Sequence, residues 1–216
     1  MTKKRVKRKP KKLLIIMFIL IILVVVGVAV YFLAFNKEEV KEAKVVSKID
    51  HYGYELKSNK STKYKKLFKE LQEILSEKEV DEKKYVKKIT EMFIVDFYSL
   101  EDHISKTDVG GVDFVHPDVL ENFIVNAEDT IYKYVESNIY GQRKQELPII
   151  DTVTIDSVDN DTYSYGETID DNAYIVKASW KYGSNSSSSG YQTSANFVYV
   201  HDGDKLQLVE ISEPES

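Results

Sequence analysis

The chain has 216 residues, no cysteine, 15 tyrosines, 9 phenylalanines and a formal net charge of −5. Without cysteine it has no disulfide and no thiol chemistry, so any folded part stabilises itself by burial alone. The charge is uneven: residues 1–35 hold eight basic side chains and no acidic one, leaving 22 basic against 35 acidic residues, a net of −13, in the remainder. An acidic remainder of this kind has no broad attraction to phosphate backbones, which argues against nucleic acid as its ligand.

The basic block, Lys3, Lys4, Arg5, Lys7, Arg8, Lys9, Lys11 and Lys12, is followed by 23 uncharged residues, 13–35. A hydrocarbon core of ~30 Å needs ~20 helical residues. The run therefore predicts a single transmembrane helix in contact with the lipid bilayer. Its basic flank predicts a cytoplasmic tail over 1–12 and an extracellular C-terminal domain. Gly27-Val28-Ala29 also fits the small-x-small pattern of a signal-peptide cleavage site. The apolar run continues for six residues beyond Ala29, where a cleaved leader should turn polar, and the whole exceeds the h-region of about 7–15 residues. An uncleaved anchor is the expectation.

A charged stretch, 37–44, predicts a stalk, and residues 45–56 around Gly53 predict a short strand or extended arm. Tyr64, Leu67, Phe68, Leu71, Ile74 and Leu75 then recur at steps of three and four, one stripe of an amphipathic helix. Asp81 is a suitable N-cap for a second helix, with Tyr85, Ile89, Met92, Phe93 and Phe97 inward. Ser99 to Asp102 suggests a short capped turn, and Gly110-Gly111 a loop without the strand–helix context of a phosphate-binding one. Pro117 opens a third helix that, on the spacing of Val119, Phe123, Ala127, Ile131 and Val135, should reach Ser137-Asn138. After Pro148 the period becomes two. Strands are expected at 150–156, 163–165, 174–182, 194–201 and 206–211, with turns at Asp159-Asn160-Asp161 and Asp202-Gly203-Asp204 and a Ser-rich tip at 183–190.

Helices followed by an antiparallel meander define an α+β class. The order of elements over roughly 60–212 resembles the NTF2-like (cystatin-like) fold, in which about three helices pack on a curved antiparallel sheet around a cone-shaped cavity. A basic tail, one span and such a domain outside also resemble VirB8-type components of bacterial conjugation and secretion machines. The stretch DTIYKYVESN, residues 129–138, is similar to part of a recurrent uncharacterised Firmicute membrane-protein family, which implies no chemistry. The expected organisation is a tail (1–12), a span (13–35), a stalk and arm (36–60), an extracytoplasmic NTF2-like domain (61–212) and a short tail (213–216).

Candidate chemistry is sparse. His51, His103, His116 and His201 are scattered, with no pair at the spacing two metal ligands on one helix need, so they read as surface or capping residues. Asp156, Asp159 and Asp161 lack the glycine of a calcium loop and read as a solvated turn, as do Glu167, Asp170 and Asp171. No metal, cofactor or catalytic set is expected. Asp96, between Phe93 and Phe97, is the one carboxylate placed for acid–base work if it faces a cavity. Tyr163, Tyr165, Tyr174, Trp180, Tyr182 and Tyr199 concentrate on the strands and either line a pocket, form an interface or pack the core. The leading expectation is a non-enzymatic, membrane-anchored assembly module of the bacterial cell envelope with envelope-protein partners, belonging to a transfer or secretion apparatus. Binding of a small apolar or cell-wall-derived ligand is the alternative, and an Asp/Tyr acid–base enzyme comes third.

Overall fold

The computed structural model describes Met17 and residues 20–28, 43–183 and 190–214. The chain divides into two compact units, Met1–Glu42 and Ala43–Ser216. In the first, Met17 and residues 20–28 are helical, with their large apolar side chains at least half exposed. Among the described residues no helix is long and apolar enough to cross a membrane. Most of the predicted span 13–35 lies outside them, as do the tail 1–12, residues 36–42 and residues 184–189 of the Ser-rich tip.

The second unit is α+β. A hairpin of β1 (Val45–Ile49) and β2 (Tyr54–Lys57) precedes α1 (Thr62–Leu75), α2 (Glu82–Tyr98) and α3 (Pro117–Asp129). Then come β3 (Ile150–Tyr165), β4 (Thr168–Tyr182), β5 (Ser194–Asp202) and β6 (Lys205–Ser212). These four form one antiparallel sheet in chain order. The helix starts follow capping chemistry. Ser61 accepts from the Tyr64 N–H, Asp81 from Lys84 and His116 Nδ1 from Asp118, each supplying an acceptor to a donor left free by the first turn.

The stripe on α2 meets the inner face of the sheet, and α1 packs against α2. Phe68, Leu71, Ile89 and Phe93 are buried with Val176, Trp180, Phe197, Tyr199 and Leu208 in one core. Each such side chain contributes about 1.5–3 kcal/mol by leaving water. The arm expected ahead of the domain belongs to this core. Tyr54 and Leu56 are buried in it, and the Tyr54 hydroxyl lies 2.7 Å from that of Tyr85 on α2.

Two elements differ from the sequence reading. No turn occurs at Asp159-Asn160-Asp161; these residues pair with Ile175, Tyr174 and Ala173 inside one continuous strand, and the hairpin turns at Gly166, whose φ of +56° suits a tight reversal. Pairing along β4 overrides the local turn preference of the acidic triplet. The long hairpin then crosses the outer face of the sheet. Its Tyr163 hydroxyl donates to Glu210 on β6, Tyr165 packs edge-on against His116, and Asp170 accepts from the backbone and ring of His201. This cover accounts for buried Val198, Val200 and Gln207, which point away from the helices.

The third helix also stops early. Thr130 leaves helical geometry (φ −118°, ψ −95°), and residues 130–149 follow without regular structure before β3. The cause lies in Tyr132, fully buried: its hydroxyl donates to the Phe97 carbonyl at 2.7 Å and accepts from the Gly110 N–H at 3.1 Å. These tertiary bonds outcompete another helical turn.

Gly110 and Gly111 press against α2. A Cβ on Gly110 would lie 2.3 Å from the Asp96 carbonyl oxygen; one on Gly111, at φ +74°, would lie 2.6 Å from the Phe93 ring. Gly110→Ala should therefore lower the unfolding free energy by about 3 kcal/mol in urea melts of the full chain. An unchanged midpoint would contradict this close fit.

Candidate functional site

Two surface features of the second unit stand out. The first is a cleft of about 500 Å³ between α3, the end of α2 and β6. Phe97, Val115, Phe123 and Leu208 supply apolar walls, while Asn122, Asn126, Thr130 and Glu210 place polar groups along it. It lies beside a helix with few fully buried contacts: Ala127 is the one buried residue of α3, and Val119, Leu120, Phe123 and Ile124 are partly buried. The volume falls in the range of about 300–1,000 Å³ typical of ligand sites.

The second is the irregular stretch 130–149. Loops beyond about 12–15 residues without secondary structure are usually functional or disordered, and this one is pinned in place. The Arg143 side chain is 1% exposed and donates to the His103 carbonyl at 2.8 Å and the Glu101 carbonyl at 2.9 Å, with the Glu101 carboxylate 3.1 Å away. Gln145 clasps the two legs of the loop, accepting from the Glu136 N–H and donating to the Tyr134 carbonyl. At the tip, the Gly141 N–H bonds the Asn138 carbonyl at 2.9 Å, so Ile139 and Tyr140 occupy the centre of a β-turn. Turn centres favour Gly, Pro, Asn, Asp and Ser. Here they hold two apolar side chains that are 47% and 69% exposed, with Tyr134 at 76%.

Asp96 is buried, but it does not line the cleft. Lys60 Nζ donates to its Oδ1, the Gly111 N–H donates to Oδ2 at 2.8 Å, and its backbone carbonyl accepts from His103 Nε2 at 2.7 Å. The carboxylate is committed to holding the loop and α1 together, so the acid–base role has no substrate-facing oxygen to act through. Burial raises the neighbouring Asp102 and Asp113 above the ordinary carboxylate range.

None of the aromatic candidates lines the cleft. Tyr174, Trp180 and Tyr199 are core residues, with the Trp180 ring 4.3 Å from that of Tyr98. Tyr182 is half-buried, donates to the Gln192 carbonyl and borders a second, more polar depression beside Arg143. Tyr163 and Tyr165 sit on the folded-back hairpin, and burial together with the Glu210 carboxylate pushes the Tyr163 hydroxyl up to about 12. Phe97 and Phe123 read from sequence only as stripe residues, and Asn122, Asn126 and Glu210 carry no site signal of their own there. The Asn pair at i and i+4 beside an apolar stripe was the available signal, whereas nothing local marks β6 as the opposite wall.

Among the described residues no three His, Asp or Glu side chains are grouped to hold a metal ion. His51 pairs with Asp204 at the surface, while His116, which caps α3, and His103 are both buried. No family model matches the chain, and no curated protein or solved structure matches it either.

His103 links this region to pH. Burial pulls its pKa down, but the Asp108 carboxylate, 3.7 Å away, and the Asp96 carbonyl outweigh this and hold it above the ordinary value. His103 in turn holds Asp108 below its ordinary value, against burial and helped by the Ile104 N–H. The histidine's contribution to stability is fully present below its unfolded value of about 6.5 and is lost as pH rises through its folded value; that of Asp108 is present above about 3.9 and lost as pH falls through its lowered value. The Tm deficit of His103→Gln should thus be largest near about pH 5.5 and shrink by about pH 8.5, read by thermal melts at both.

Proposed function

We propose that the chain is a single-pass membrane protein whose second unit is an extracytoplasmic, NTF2-like protein-interaction and assembly module of the bacterial cell envelope. Residues 1–12 are its cytoplasmic tail and 13–35 its uncleaved anchor. The basic flank and the 23 uncharged residues support the topology. Three helices against a four-stranded antiparallel meander, with the outermost strands linked through Tyr163 and Glu210, support the fold assignment. The resemblance to VirB8-type components supports a place in a transfer or secretion apparatus.

The observation that carries the interaction reading is the rigid tip of the loop at 130–149. Exposing Ile139, Tyr140 and Tyr134 to water is unfavourable, and docking a partner would relieve it. Tyrosines held by a fixed backbone lose little conformational entropy on binding, which makes them good anchors. Tethering near the membrane raises the effective concentration for partners in the same layer. A second reading, capture of a small apolar ligand, is favoured by the cleft beside α3.

A photo-crosslinking amino acid at Tyr140, activated in native membranes, should give one discrete heavier species, reduced at least about fivefold by Ile139→Ser. Recovery of the monomer alone would overturn the interaction reading. A reporter fused to the C-terminus should be active outside the cytoplasm; cytoplasmic activity would overturn the topology.

A further inference from the structure

On its sheet side the cleft is lined by four consecutive residues, Leu208, Val209, Glu210 and Ile211. A cavity over the face of a strand touches alternate residues, because successive side chains point to opposite faces. Consecutive lining places this cleft along the outer edge of β6, where the backbone groups lie. A bulge at Val209, between the Tyr199–Leu208 and Val198–Glu210 pairs, turns that edge further outward. Among the described residues the edge is bridged only at Leu208, in parallel to Val115, with the His116 N–H donating to the Leu208 carbonyl at 2.9 Å. Beyond that bridge the chain winds into α3. Residues 209–211 then have β5 on one side and the cleft on the other.

We propose that the cleft takes an extended segment of a partner protein that adds to the outer edge of β6 beneath α3, its apolar side chains alternating with Lys or Arg. An open strand edge offers main-chain hydrogen bonds, which a small apolar molecule would leave unmade. Three such residues at about 3.3 Å each give a short landing strip of roughly 10 Å. Alternate side chains of the added strand reach the apolar walls at Phe97, Phe123 and Leu208, while the others face the rim.

Charge narrows the choice of partner. Glu210 is the one charged side chain lining the cleft, and α3 carries Asp118, Glu121, Glu128 and Asp129, outside the lining, with no basic residue. A second copy of this chain would bring residues 36–216, with their net charge of −13, against this acidic surface. A basic segment is drawn to it. The proposal holds whether or not the loop at 130–149 docks a partner, since the two surfaces share no contact residue other than Thr130 and Ile131 at the foot of that loop.

The test uses the full chain in detergent micelles and three labelled, capped nonapeptides: alternating Lys-Val, the same peptide N-methylated at every other residue, and alternating Glu-Val. Binding is followed by fluorescence polarisation and backbone hydrogen exchange. The Lys-Val peptide should bind and slow exchange within 209–211, and N-methylation should weaken it at least about tenfold. Asn126→Trp, at an exposed helical position that overhangs the cleft, should weaken it about tenfold without changing Tm. Glu210→Lys should weaken the Lys-Val peptide and strengthen the Glu-Val one. No binding, equal binding of the N-methylated peptide, or protection within 209–211 that grows with protein concentration in the absence of peptide would each overturn the proposal, the last in favour of self-pairing.

Discussion

A buried carboxylate organises the second unit. Removing a charge from water costs several kcal/mol unless it is paired and hydrogen-bonded, and Asp96, 7% exposed, meets that requirement through Lys60 and the Gly111 N–H. Satisfying it brings three separate stretches together: the turn before α1, the last turns of α2 and the glycine loop. The adjoining carbonyls of Asp96 and Phe97 then receive His103 and Tyr132, and Tyr132 decides where α3 gives way to the loop. The positions of both surface features follow from that arrangement. The charge is therefore structural, although its place beside an apolar stripe is also what made it look catalytic.

Much of the fold was legible because it rests on local pattern. The stripes on α1 and α2, the caps at Ser61 and Asp81, Pro117 at the first turn of α3 and the Asp-Gly-Asp reversal between β5 and β6 are short-range chemistry, and each is present. What was misread depends on distant partners. The acidic triplet at 159–161 looks like a turn until β4 is available to pair with it. Ile131 and Val135 continue the helical period of α3 on paper, yet Tyr132 finds better bonds on α2. The arm at 45–56 seemed peripheral because nothing near it in sequence reveals that Tyr54 reaches Tyr85. The cleft was the least legible feature of all. Its walls come from elements about 80 residues apart, and its existence depends on how closely a helix settles against a strand edge.

Core and surface divide the work cleanly. Nearly the whole inward surface of α2 is sealed, from Tyr85 to Tyr98, whereas α3 contributes one buried residue. A helix with so few buried contacts opens more readily than its neighbours, which suits the wall of a binding cleft. The loop at 130–149 reaches the opposite end by different means: it lacks regular structure, yet Arg143 and Gln145 hold its backbone still. One surface is adaptable and the other preorganised, and both lie on the stretch between α2 and β3 or border it.

The simple chain order of the sheet has a consequence for biogenesis. Each of β4, β5 and β6 pairs with its immediate predecessor, so the ladders zip up by successive hairpins once they exist. The helices, however, are made first. As the nascent polypeptide emerges, Phe68, Ile89 and Phe93 have no sheet to settle on until Val176, Phe197 and Leu208 have followed, more than a hundred residues later in the case of Leu208. In that interval the greasy sides of two helices are unshielded, and a holdase that binds amphipathic helices would find its client there rather than in the finished protein.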